Sequence, residues 1–80
     1  MTITTVYWTS SDLSLVSVLS LFFPIEKIDK TNPRKAEFVF VRTSELDGLI
    51  TRYWEREILV EPRQYFDNLK SLKARLYANE

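Results

Sequence analysis

Eighty residues with 45% hydrophobic and 14% aromatic content can build one small core, and are too apolar for an intrinsically disordered segment. Eleven basic residues against eleven acidic ones leave no net charge, so the basic excess of a dedicated duplex-binding protein is missing. Cysteine and histidine are both absent, which excludes disulfides, Cys/His zinc sites, thiol nucleophiles and imidazole bases, and a single glycine cannot form a glycine-rich phosphate cradle.

A chain without disulfides fits a reducing compartment. The apolar run at residues 13–25 is interrupted by Ser14, Ser17 and Ser20 and falls short of the roughly 20 residues a bilayer span needs. No Lys or Arg precedes it, so it does not read as a secretion signal. The expectation is one compact domain over residues 1–80, cytoplasmic and without membrane contact.

In chain order, residues 2–8 carry β-formers (Ile3, Val6, Tyr7, Trp8) and predict a first strand. Thr9-Ser10-Ser11-Asp12 has the form of a capping box, with Thr9 as the cap, and predicts a helix over residues 10–22 that Pro24 ends. Leu15, Leu19 and Phe22 would share one side, widened by Val16 and Phe23. Serine at every third place suits close approach to a neighbouring backbone.

Residues 25–29 predict a short second strand, and Lys30 to Arg34 a turn with Asn-Pro inside it. The turn leads as an antiparallel hairpin into residues 35–42, the strongest strand signal of the chain. Ala36, Phe38 and Phe40 face one way, Val39 and Val41 the other. Apolar groups on both faces place this strand inside a sheet. Ser44 and Asp47 repeat the capping box and predict a second helix to about Glu55, with Leu46, Leu49, Ile50, Tyr53 and Trp54 on its inward face. Gly48 lies on its polar side and is read as tolerated rather than functional.

Residues 57–60 are either a short edge strand or an extended connector. Pro62 at a first helical position opens a third helix, with Tyr65, Leu69, Leu72 and Leu76 as its inward stripe and Phe66 broadening it. The predicted fold is α+β, a small three- to four-stranded antiparallel sheet with three helices, in the order β-α-β-β-α-(β)-α.

Tyr7-Trp8-Thr9-Ser10 with Asp12-Leu13, Ala36-Glu37-Phe38-Val39-Phe40, and Val60-Glu61-Pro62 followed by Tyr65-Phe66, Leu69-Lys70, Leu72-Lys73 and Arg75-Leu76-Tyr77 occur together. In these the chain resembles, over nearly its whole length, a family of small bacterial and phage domains known only as a domain of unknown function. The resemblance implies a phage, plasmid or other mobile element as the source and carries no catalytic residue. The chain departs from the family pattern at Phe22-Phe23-Pro24, where a Gly-containing loop is expected.

Two surfaces are candidates for binding. Arg63, Lys70 and Lys73 flank the apolar stripe of the third helix with Tyr77 among them, a basic and aromatic face suited to phosphate contacts and base stacking. Its plainer reading is a solvated face whose lysines lie late in the helix, where the dipole favours them. Arg52 and Arg56, four apart on the second helix, repel mildly unless an anion sits between them. A partner's carboxylate or phosphate could supply it, and so could Glu55 and Glu57. Trp8, Tyr53 and Trp54 are core residues or a recognition surface, and Tyr53 and Trp54 cannot both be deeply buried on a narrow stripe. The paired carboxylates Glu55/Glu57 and Glu26/Asp29 lack the cleft that general acid–base work requires, and no loop spacing suggests a metal site. The sequence therefore predicts a non-enzymatic, cofactor-free module that binds a protein through Arg52, Trp54 and Arg56, one form being an anti-CRISPR inhibitor of a host defence complex. The alternatives are a nucleic-acid binder using Arg63, Lys70, Lys73 and Tyr77, and a small homodimeric structural protein.

Overall fold

The computed structural model describes residues 4–32 and 34–78. Three strands, β1 (Tyr7–Ser10), β2 (Lys27–Asp29) and β3 (Glu37–Val41), form a fully antiparallel sheet in the order β1-β3-β2. Three helices, α1 (Leu13–Leu19), α2 (Ser44–Trp54) and α3 (Pro62–Tyr77), complete the described residues. The fold is α+β, as the sequence predicts, and of the three to four strands expected the described residues form three. Residues 57–60 are the extended connector and pair with no strand among the described residues.

The central position of β3 follows from its composition. Trp8 pairs with Phe40, their rings 5.9 Å apart, and Ile28 pairs with Phe38, so one face of the sheet is a continuous apolar surface. Phe38 and Phe40 are buried in a core with Leu15, Val16, Leu19, Leu46, Leu49 and Leu72. Val39 is buried on the opposite face between Thr9 and Lys27, whereas Val41 at the strand's end is exposed. The molecule is 17 Å in its thinnest dimension, which suits one sheet and one layer of helices.

Several boundaries differ from the sequence expectation. Strand β1 begins at Tyr7 and runs through Ser10, so Thr9 is a ladder residue opposite Val39 and not a helix cap; Thr2 and Ile3 lie outside the described residues. The cap moves to Asp12, whose Oδ1 accepts from the amides of Ser14 and Leu15. Ahead of Pro24, α1 ends at Leu19 and tightens into turns, with Leu21 N–H donating to Val18 O and Phe22 N–H to Leu19 O. Phe22 is thereby turned out to solvent, while Phe23 still packs on the core. The shorter β2 begins at Lys27, although Glu26 N–H still bonds Val39 O.

Helix α2 is capped by the Thr43 hydroxyl on Leu46 N–H, one residue before the expected Ser44. Asp47 is drawn instead to Arg42, with Nε 3.2 Å from Oδ1. Pro62 does open α3, and Glu61 supplies its cap through Oε2 to Gln64 N–H. Lys30 reaches from the hairpin to the other end of α3 and donates to the carbonyls of Arg75 and Ala78, where a cation also suits the helix dipole. A Cβ built on Gly48 meets nothing within 4 Å, so that glycine is tolerated rather than required.

The spaced serines of α1 acquire a specific role. Residues 15–19 are all buried while Ser14 in the first turn is exposed, so the buried hydroxyl of Ser17 and the half-buried one of Ser20 need partners. Ser14 Oγ shares a hydrogen bond with the Tyr53 hydroxyl of α2 at 3.0 Å. Ser17 Oγ donates to Leu13 O at 2.7 Å. Asn68 of α3 donates from Nδ2 to Ser17 O at 2.8 Å and also to Ser20 Oγ. Asn68→Ala, which removes both links, is expected to lower stability by about 1 kcal/mol. In a domain of this size that is a melting temperature lower by about 4–8 °C, readable by circular dichroism.

Candidate interaction surfaces

Arg52 lines a depression with Phe22, Phe23 and Glu45, whereas Trp54, two positions on, projects from another side of the helix, and with Arg56 they share only the C-terminal end of α2. This end is a Schellman closure: Glu57 N–H donates to Arg52 O at 2.9 Å and Arg56 N–H to Tyr53 O at 3.1 Å. The closure requires a left-handed residue, and Arg56 fills that place with φ of 62° where glycine is the usual choice. Tyr53 turns inward onto the core, and Trp54 turns outward, 62% exposed, meeting the Tyr53 ring edge-on at 5.1 Å. Trp54 is therefore not part of the inward stripe that periodicity suggests. Among the described residues the ion pairs are Arg42–Asp47 and Lys70–Asp67, so neither Glu55 nor Glu57 closes on Arg52 or Arg56.

The connector after this end carries the most exposed large apolar side chain among the described residues. Exposure alternates along it: Ile58 and Val60 are half-buried, and Leu59 between them is 96% exposed. That alternation is the signature of extended backbone. Sequence reasoning passed over Leu59, although the apolar run Ile58-Leu59-Val60 carried the signal: two anchors facing one way leave the third facing the other.

Arg63, Lys70, Lys73 and Tyr77 lie within roughly 80° of one another around α3, at about 100° per residue, and all are exposed. Phe66 falls in the same arc. It is 54% exposed and not part of the inward stripe, because α3 packs on α1 along a narrow line centred on Leu72. Lys70 Nζ lies over its ring at 5.1 Å and 4.0 Å from Asp67 Oδ1, while Tyr77 is 80% exposed.

Glu26 and Asp29 line an open depression on the outer sheet face together with Tyr7, Thr9, Lys27 and Val39. Asp29 accepts from the Thr31 hydroxyl at 2.6 Å and the Thr31 amide at 2.9 Å, and these two bonds hold its carboxyl below the usual carboxylate range. A general acid needs the opposite shift. Tyr65 is pushed the other way, its phenol raised chiefly by partial burial and further by Tyr53 and Asp12. Among the described residues no three carboxylates gather to hold a metal ion. No described helix is long and apolar enough to cross a membrane.

These elements define a small α+β domain with its helices on one side of the sheet and aromatic side chains left outside the core. Residues 5–78 match the family model described as a domain of unknown function, DUF5659, and the chain belongs to that family. Searches of curated proteins and of solved structures find no match to the chain.

Because Arg56 occupies a left-handed backbone position while its side chain is exposed, Arg56→Gly is expected to raise stability by about 1 kcal/mol, read as a higher denaturant midpoint at unchanged slope.

Proposed function

We propose that the domain is a non-catalytic module that binds another protein through the α2 corner. The observation that carries this reading is Trp54, which stands largely in water at a helix end whose two arginines, Arg52 and Arg56, have no carboxylate partner among the described residues. Tryptophan and arginine are the side chains that most often dominate interface energetics, and a left-handed arginine is a strained choice retained where glycine would serve better. The closed routes to catalysis support the same reading: the chain has no thiol or imidazole, and Asp29 is shifted away from acid chemistry. A defence inhibitor carried by a phage or plasmid, of anti-CRISPR type and acting in the cytoplasm, is one form of such a module, supported by the sequence resemblance.

Immobilised protein is expected to retain a stoichiometric partner from a bacterial lysate, and the Arg52→Glu, Trp54→Ala double variant to lose it, as read by quantitative mass spectrometry. Identical retained sets from the two proteins would overturn the reading.

A second reading has one specific observation in its favour, the placing of Phe66 beside Lys70 on the α3 flank. Two exposed aromatics among three cations form a surface on which single-stranded bases can stack while phosphates meet the charges. It predicts binding to a labelled oligonucleotide that weakens steeply with salt and disappears in the Lys70→Glu, Lys73→Glu variant, measured by fluorescence anisotropy. Salt-insensitive binding, or none at about 50 mM salt, removes it.

A further inference from the structure

The corner contains backbone as well as side chains. From residue 58 to residue 61 no N–H has an acceptor among the described residues, and the carbonyls of residues 57–60 have no donor there. The segment is nonetheless held in place, because Ile58 packs on the core and the Glu61 carboxylate caps α3. Its ends are defined: Arg56 turns the chain into the left-handed region on one side, and Pro62, which has no N–H, stops any ladder on the other. Five extended residues, about 16 Å of strand at 3.3 Å each, thus present open hydrogen-bonding groups and a fully projecting Leu59.

We infer that residues 57–61 accept a β-strand from the partner: an extended segment of another protein pairs its backbone with this connector, takes Leu59 into an apolar pocket, and sets cationic side chains against Glu57 and Glu61. This rests on the protein-binding reading above and names its mode, strand addition. The charge pattern identifies the occupant. Glu57, Leu59 and Glu61 are the exposed positions of the alternation, Glu61 with Oε2 on the α3 amide, so a second copy paired antiparallel about Leu59 would bring Glu57 opposite Glu61 twice. Like charges directly opposite destabilise a ladder, whereas a strand with Lys or Arg at those two places and β-formers between them is complementary.

The test uses the full chain and a displayed library of random peptides. Selection is expected to enrich sequences with an apolar β-forming centre between basic residues. On adding such a synthetic peptide, the amide protons of residues 58–61 become protected from exchange. N-methylating alternate peptide amides abolishes binding in one parity and spares it in the other, which docking through side chains alone would not produce. Leu59→Asp alters a fully exposed side chain, so it leaves the melting curve unchanged, and it weakens the peptide roughly 10- to 100-fold, the range for withdrawing a leucine from an apolar pocket. Glu57→Lys weakens it too and restores binding to a peptide in which the basic residue opposite position 57 alone is made acidic.

Enriched peptides that ignore Leu59→Asp and leave those amides unprotected overturn the inference. If they still depend on Trp54, the corner binds protein through side chains and only strand addition falls; if they do not, the protein-binding reading falls with it. Failure to enrich any peptide, or concentration-dependent self-association abolished by Leu59→Asp, also overturns strand addition, the latter by naming a second copy as the occupant.

Discussion

A helix of seven residues, five of them consecutive and all out of water, cannot be stable on its own, and everything else in this domain follows from supplying its surroundings. The sheet lies under α1, with Phe38 and Phe40 as the apolar floor. On its flanks α2 and α3 close the sides, and each is tied to it by a polar link as well as by packing. Burial of Ser17, with Ser20 half-buried beside it, is tolerable only because both hydroxyls find a partner. The serines therefore fix which helix sits on which side. Tyr53 meets Ser14, and Asn68 meets Ser17 and Ser20, so the polar contacts set the register that apolar contact alone would leave loose.

Once α1 is surrounded, the remaining surface is what the helices cannot cover. Helix α2 ends where its inward stripe ends, and the Schellman turn directs the chain across to α3 through an extended connector. That connector has anchors on one side and nothing on the other, and this leaves Trp54 and Leu59 outside within six positions of each other. Helix α3 touches α1 along a single line, which leaves Phe66 and Tyr77 outside among cations. Both candidate surfaces are thus by-products of a core too small to absorb all the aromatics the chain carries.

Much of this was legible in the sequence. Phe38-Val39-Phe40 announced an interior strand because no solvated edge accommodates apolar groups on both faces, and Pro62 marked the start of α3 because few other helix positions accept it. The errors have a common physical origin. Thr9 matched the template of a helix cap, but pairing of Trp8 and Ser10 with Phe40 and Phe38 holds it in the sheet, and Asp12 is the next side chain able to cap. Phe66 and Trp54 sit at the margins of their stripes, and periodicity states which side of a helix is apolar without stating how wide a strip its neighbour covers. Asn68 could be read only jointly with the serines fifty positions away, a match that no local pattern exposes. Arg52 and Arg56 were visible as a pair; the left-handed turn at Arg56, which an arginine does not advertise, was not.

The bond from Asn68 to Ser17 spans 51 positions along the chain. On a ribosome adding about 5–20 residues per second, Ser17 is made some 3–10 s before the residue that satisfies its carbonyl. Phe38, Phe40 and α2 are made within that interval but the α3 flank is not, so α1 stays uncovered on one side and the closing of the core waits on α3.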